Sequence, residues 1–284
     1  MTSWLGPASR AEPAVLRVMT WNIRTGGRDR DGPDRRELVA RVITQQRPDV
    51  LALQELGGLD VAGLASGVGL RPFVARSWLG QPVALLVAPR WPVLAAAPVR
   101  RPFHHAAQRV VVSTEAGPLT VLGTHLDPYS GMRRLVEAGW ASAALRRGRD
   151  GLALLAGDLN TLDPYAGHAD QVGRLPPAYR RRHLRRDGRT VETRAVARLL
   201  AAGLVDLGAD AGPTVPTAHG GAEFADMRLD YLLATPTLAT HLTHVGVLRT
   251  PHTDHASDHY PLLADFALTP PLPPPTPPTP PTAR

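Results

Sequence analysis

Eight residues that could carry chemistry stand at or beside the ends of short apolar runs: Asn22, Glu55, His125, Asp158, Asn160, Asp230, Asp258 and His259. They occur, in order, in Trp21-Asn22-Ile23, Leu53-Gln54-Glu55, Gly123-Thr124-His125-Leu126, Gly157-Asp158-Leu159-Asn160, Arg228-Leu229-Asp230-Tyr231 and Ser257-Asp258-His259. Carboxylates, amides and imidazoles delivered to one pocket suit a hard divalent cation and a phosphate ester. Glu55 could bind Mg²⁺ at a strand mouth that stays wet, and Asn22 could orient it or ligate beside it. Asp158 and Asn160 lie two apart, so an extended backbone aims both side chains the same way. Asp158 could hold or deprotonate an attacking water, and Asn160 could donate to a phosphate oxygen that gains charge. Asp258 could complete the metal shell. His259 could meet the phosphate as donor or base, with Asp230 fixing its tautomer. His125 supplies a second imidazole near a leaving group, and Arg109 could clamp a non-bridging oxygen. Taken singly, each is as well explained as a turn or loop residue; the weight lies in the ordered set. His252, Asp254 and His255 form a weaker zinc pattern, and His104, His105, His219, His241 and His244 have no comparable setting.

The elements that must position these groups can be read from periodicity. Residues 15–21 and Val50 to Glu55 read as buried strands, with a helix over Arg35 to Gln46 between them carrying Leu38, Val42 and Ile43 on one face. Short strands follow in 72–88 and 91–99. Arg109 to Thr114 and Leu119 to Thr124 form a hairpin turning at Glu115-Ala116-Gly117-Pro118. A helix over 131–147 presents Leu135, Val136, Trp140, Ala144 and Leu145. Leu152 to Ala156 is an apolar strand, Val191 to Ala202 a helix stopped by Gly203. Leu229 to Ala234, Thr243 to Leu248 and Tyr260 to Ala267 complete the strands. Residues 164–190 fall outside this pattern and hold Arg180-Arg181-Arg182-His183-Leu184-Arg185-Arg186, either a substrate-facing basic loop or a solvated surface. The Pro/Thr repeats of 269–284 predict an extended, disordered tail that could contact a partner.

Bulk properties narrow the class. The chain has 284 residues, 43% of them hydrophobic, enough for one large α/β domain. No apolar run reaches the ~18 residues of a membrane span, and the first twelve residues hold no signal-like apolar core. Cysteine is absent, which excludes disulfides, thiolate metal sites and a cysteine nucleophile. A soluble, cytoplasmic monomer is the expectation. The net charge is +7, carried entirely by arginine, and attracts polyanions; the absence of lysine itself follows from a GC-rich coding bias.

The ordered set of motifs, spanning about 15–268, resembles the endonuclease/exonuclease/phosphatase superfamily, which includes deoxyribonuclease I, abasic-site endonucleases and sphingomyelinases. The resemblance implies an α/β (α+β) fold: a four-layer sandwich of two packed mixed β-sheets flanked by helices, here a catalytic domain over 13–268. It implies Mg²⁺- or Mn²⁺-dependent phosphoester hydrolysis, with Glu55 as principal metal ligand assisted by Asn22 and Asp258. Asp158 and Asn160 would handle water and phosphate, His259 paired with Asp230 the charge on phosphorus, His125 the phosphate or leaving group, and Arg109 a phosphate oxygen. The base stays open between His259 and Asp158. Abasic-site enzymes usually lack the Thr-His-Leu segment present here. Pancreatic-type deoxyribonucleases pair the matching histidine with an upstream glutamate, and no acidic residue lies between Asp60 and Glu115. The expected function is a phosphodiesterase, most readily a nuclease by in-line attack of water. The alternatives are a phospholipid or phosphoinositide hydrolase, for which Arg76-Ser77-Trp78-Leu79-Gly80 would be the apolar loop, and a non-catalytic nucleic-acid-binding module. No aromatic platform for bases is visible in a chain with 5% aromatics.

Overall fold

The computed structural model describes residues 15–145 and 151–271. Twelve strands form two six-stranded sheets among these residues. The first runs β11-β12-β1-β2-β4-β3 and the second β5-β6-β7-β8-β10-β9. The strands are β1 Leu16–Asn22, β2 Val50–Gln54, β3 Arg71–Ala75, β4 Val83–Val87, β5 Val93–Pro98, β6 Ala107–Thr114, β7 Gly117–His125, β8 Leu152–Asp158, β9 Val205–Asp206, β10 Asp230–Ala234, β11 Leu242–Val247 and β12 Leu262–Phe266. Each sheet has one parallel pair at its centre, β1 with β2 and β7 with β8, and antiparallel pairs elsewhere.

A parallel pair needs a crossover, and a helix supplies it. The β1–β2 crossover contains α1, Arg36–Gln46, and the β7–β8 crossover contains α3, Gly131–Leu145. The other helices used below are α2 (Val61–Gly67), α4 (Ala169–Arg174) and α5 (Arg194–Ala201). Helix α1 buries Val39, Val42 and Ile43, then ends where Arg47 adopts left-handed φ 49 before Pro48. One apolar cluster lies between the sheets, built from Val18, Val50, Leu85, Val110, Val121, Leu154, Leu232 and Leu262 among others. A second packs α3 and α5 against the second sheet, and a third packs α1 and α2 against the first. The result is the expected order of helices, sheet, sheet, helices. None of the described helices is long and apolar enough to cross a membrane.

Three expectations change. Helix α3 buries Arg134, Glu137, Ala138, Ala141 and Leu145, while Val136 is exposed. Alanines let the helix approach the sheet closely, and the two charged residues face inward because loop backbone groups receive them. Residues 164–190 have structure of their own: α4, a bridge between Leu184 and Val191, and a satellite core of Leu162, Val172, Leu175, Val215, Met227 and Leu229. The helix expected from Val191 starts at Arg194, because Val191 is taken by that bridge. The last residues of the expected 131–147 helix and most of the Pro/Thr tail lie outside the described residues; at its start, Thr269 still bonds Glu115.

Candidate active site

The carboxyl ends of both central parallel pairs meet at one end of the sandwich. Asn22 ends β1, Glu55 follows β2, His125 ends β7 and Asp158 ends β8. Asp230 begins β10, directly opposite Asp158 in the ladder, and His125 is Asp158's partner on the other side. Side chains alternate along a strand, so Asp158 shares the inter-sheet face with Leu154 and Ala156, and Asp230 shares it with Leu232 and Ala234. The functional groups therefore close the open end of the central core.

Asn22 joins the two sheets. It is fully buried, and its amide nitrogen donates to Glu55 Oε1 at 3.0 Å and to Asp158 Oδ2 at 3.0 Å. Its Oδ1 accepts from the Arg24 backbone at 3.0 Å. Glu55 Oε2 accepts from Thr25 N at 3.3 Å and from Gln81 Nε2 at 3.1 Å. These are all neutral donors. Asp158 Oδ1 accepts from Asn160 N at 2.8 Å, and the Asn160 amide reaches Leu126 O at 3.1 Å and His125 Nε2 at 2.8 Å. His259 Nδ1 lies 2.8 Å from Asp230 Oδ2, and its Nε2 lies 3.8 Å from Asp158 Oδ2. Trp21 Nε1 donates to the His259 carbonyl at 2.8 Å, and Ser257 Oγ donates to the Asn22 carbonyl at 2.6 Å, fixing the last segment to the first strand.

The backbone is strained where it shapes this pocket. Arg24, Thr25, Glu55 and Asn160 all have φ between 45° and 56°, a region non-glycine residues rarely occupy. At Gly26 a Cβ would sit 2.2 Å from the Leu56 carbonyl oxygen, so only glycine lets the Arg24–Gly27 turn lie against the end of β2.

Burial also sets the protonation states. Burial, reinforced by the charge of Asp230, raises the Asp158 carboxyl above its ordinary value, against the pull of His259 and the Asn22 amide. Burial opposes the charge on His259, but Asp230 and Asp158 together outweigh it and raise that imidazole. His125 goes the other way: burial first, then the neighbouring His105 and His259, hold it well below the usual value. One histidine is thus favoured as a cation and the other as a neutral ring, both beside Asp158.

Asp158, Asp230 and His259 offer ligand atoms within 4.8 Å of one another, and this grouping could coordinate a divalent metal. The donor chemistry suits such an ion. Asp230 Oδ1 is buried without a hydrogen-bond partner, and no arginine neutralises Glu55 or Asp158 among the described residues. His252, Asp254 and His255 make no comparable group there; Asp254 instead accepts from Tyr260.

The family model described as Endonuclease/Exonuclease/phosphatase family matches residues 19–259. The chain belongs to the endonuclease/exonuclease/phosphatase family. None of the curated proteins matches it at a significant level. Among solved structures it is similar to an AP endonuclease from Archaeoglobus fulgidus, with 19% identity, TM-score 0.65, and coverage of 88% of this chain and 99% of that one. It is also similar to D. rerio TDP2 complexed with single strand DNA product, with 15% identity, TM-score 0.65 and coverage of 89% and 99%. A functionally unknown conserved protein from Enterococcus faecalis V583 has 17% identity, TM-score 0.64 and coverage of 88% and 98%. At these identities the likenesses establish the fold.

Within that family fold the structure gathers Asn22, Glu55, His125, Asp158 and Asn160 into one hydrogen-bonded group, with the Asp230–His259 pair against it. Asp258 adjoins it, but its Oδ2 accepts from Arg24 Nη1 at 2.9 Å. That ion pair occupies the carboxylate expected to complete a metal shell. Arg109 does not join the group. It pairs with Leu122 in the β6–β7 ladder and shares that residue's face, which packs on the helix side. The pleat therefore aims it away from the sandwich end, so the expected phosphate clamp is corrected.

Several participants are not legible in the sequence. His105, which has no telling neighbours there, stacks on His125 with centroids 3.8 Å apart and planes 9° apart, and accepts from Gln81 N at 2.8 Å. Buried Glu137 accepts from the backbone of His104 at 2.6 Å and of Asp127 at 2.7 Å. Nothing in local spacing marks these residues; the adjacent histidines before β6 are the one available signal.

Proposed function

We propose that the chain is a Mg²⁺- or Mn²⁺-dependent phosphodiester hydrolase that acts on nucleic acid in the cytoplasm. The observation that carries this reading is the convergence on Asp158 of Asn22 from one sheet, His125 from the other, and the Asp230–His259 pair. Glu55 and Asn22, beside Asp158, would hold the cation. When bound, the cation would withdraw charge from the scissile phosphate and stabilise the departing oxyanion. His259, kept protonated between two carboxylates, is suited to stabilise charge on the phosphate oxygens rather than to accept a proton. Asp158, with its raised pKa, is the better base for the attacking water. Asn160 fixes neutral His125, which faces the leaving group. Asp258 holds Arg24 and through it the turn that donates to Glu55; it becomes a ligand only by releasing Arg24.

The test is hydrolysis of single- and double-stranded DNA, RNA, sphingomyelin and phosphoinositides with Mg²⁺, Mn²⁺ or chelator. The expected outcome is chelator-sensitive cleavage of a polynucleotide. Cleavage of none of these substrates with either metal would reject the reading. A second reading as a phospholipid hydrolase is favoured by one feature: Trp78 is fully exposed and Leu79 is 62% exposed on the β3–β4 connection, next to Gln81 and the site. Faster turnover of the lipid substrates would select it.

A further inference from the structure

The segment between α4 and α5 holds more arginine than its own packing uses. Arg180 donates to the Gly173 and Leu175 carbonyls at 2.6 and 2.9 Å, and Arg182 lies over the rings of Tyr129 and Tyr179 at 5.5 and 4.8 Å. Arg181, Arg185 and Arg186 are different. Among the described residues none of them has a carboxylate within ion-pair distance, whereas Arg194 pairs with Glu192 and Arg228 with Asp206. Arg181 and Arg186 are exposed. Arg185 is half-buried, and its Nε is buried without a hydrogen-bond partner. Guanidinium groups without a carboxylate partner can take a phosphate oxygen in their planar fork.

These three arginines line a groove of about 310 Å³ whose other wall includes Tyr129, Ser130 and Gly131; the Glu192 carboxylate also lines it, held at both oxygens by Arg194. That wall is the chain that leaves β7 just after His125. The groove is tied firmly to the site. Fully buried Arg134 donates to Asp127 O at 3.1 Å and to the Arg182 carbonyl, and Thr161, next to Asn160, donates to Glu192 O at 2.9 Å. Planar groups also run from one to the other. His125 stacks on His105, His105 meets His104 at 4.7 Å, His104 meets Tyr129 at 5.5 Å, and Tyr129 meets Arg182. Tyr129 is 62% exposed at the groove's edge, where an unpaired base can stack on it.

We infer that this groove is a second phosphate site, which takes a backbone phosphate of a single-stranded polynucleotide whose scissile bond lies at the Asp158–His259 centre, with an unstacked base on Tyr129. The inference rests on the proposed hydrolysis for the strand's engagement at that centre. A single strand is specified because a duplex keeps its base faces stacked and out of Tyr129's reach.

The experiment compares the full chain with the triple variant Arg181→Ala, Arg185→Ala, Arg186→Ala, and with Tyr129→Ala and Tyr129→Phe. Bis(p-nitrophenyl) phosphate, too small to reach the groove, and a long oligothymidylate are the substrates. Turnover of the small diester stays unchanged in all variants. In the triple variant KM for the oligothymidylate rises about tenfold with kcat held. Anisotropy of labelled oligothymidylate, read in chelator without turnover, gives a salt dependence flatter by about 0.7 for each phosphate that the variant no longer neutralises. Tyr129→Ala weakens that binding and Tyr129→Phe keeps it. Equal binding curves and salt slopes for the full chain and the triple variant would overturn the inference. Retention on phosphoinositide vesicles that the triple variant loses, with oligothymidylate binding unaffected, would overturn the choice of a nucleic acid. No turnover of either substrate, with the anisotropy difference intact, would reject the hydrolytic reading and keep the groove.

Discussion

The two ends of the sandwich use carboxylates in opposite ways. At the end away from the site, Asp49 and Asp265 are matched to arginine. Arg17 grips Asp265 with two bonds of 2.8 Å, and Arg90 grips Asp49 at 2.7 and 2.8 Å while Arg17 N donates to the same carboxylate. At the other end of the same sandwich, Asp158, Asp230 and Glu55 crowd together with amides and imidazoles and with no arginine bonded to them among the described residues. The first arrangement has the bidentate geometry that locks strands in place. The second meets its carboxylates only partly, with the His259 cation, raises the buried Asp158 pKa and leaves Asp230 Oδ1 unpartnered. Such an arrangement costs stability and suits a divalent cation.

Substitutions at the two ends can break this contrast. Asp230→Asn and His259→Ala should each lower kcat by about 10²–10⁴-fold in a chain that stays folded by circular dichroism; near-normal turnover in a steady-state assay would dissolve the distinction. Asp49→Ala at the far end should do the reverse, costing about 1–3 kcal/mol in denaturant unfolding with kcat unchanged. The exposed side of Arg90 keeps that cost below the loss at a fully buried pair.

The segment over 164–190 is a third case. Burial, with the charges of Arg134 and Arg182, lowers the His183 pKa to about 3. The unfolded chain therefore binds more protons below about pH 6.5, so His183's contribution is present above that pH and is lost as pH falls toward 3. His183→Gln should recover about 2 kcal/mol near pH 5, read as a flatter acid limb in unfolding; an unchanged limb would show that the segment opens before it titrates. The smallest effect on stability is expected at Asp158. Its raised folded-state pKa means the native state binds more protons above about pH 4, so stability falls as pH rises from there. Asp158→Asn, measured in chelator, should remove that slope and stabilise by on the order of 1 kcal/mol while abolishing turnover. Destabilisation at neutral pH would place Asp158 with the far-end carboxylates.

Much of the fold is legible because strand-end motifs and a period of two for strands are local signals. Val50 to Gln54, the β6–β7 hairpin and the Asp158 strand end stand where alternation and turn residues put them. Asn22, Glu55, Asp230 and His259 are legible as an ordered set. Arg109 is not, because a shift of one residue along a strand reverses its face: Gln108, one position earlier, pairs with Gly123 on the side that leads to His125. The inward face of α3 is hidden because Arg134 and Glu137 are buried by backbone partners outside their own helix. The setting of Tyr129 is hidden for a similar reason. Tyr129 and Ser77, beside Trp78, are far apart in the chain, yet both meet His104, one through its ring and the other through its carbonyl.

The most direct measurement is phosphodiester turnover of a single-stranded oligonucleotide by the unaltered chain and by Asp230→Asn, each with Mg²⁺ and with chelator. The account predicts cleavage only by the unaltered chain in Mg²⁺, with the variant folded and silent. Equal cleavage by both proteins, or cleavage indifferent to chelator, would contradict it.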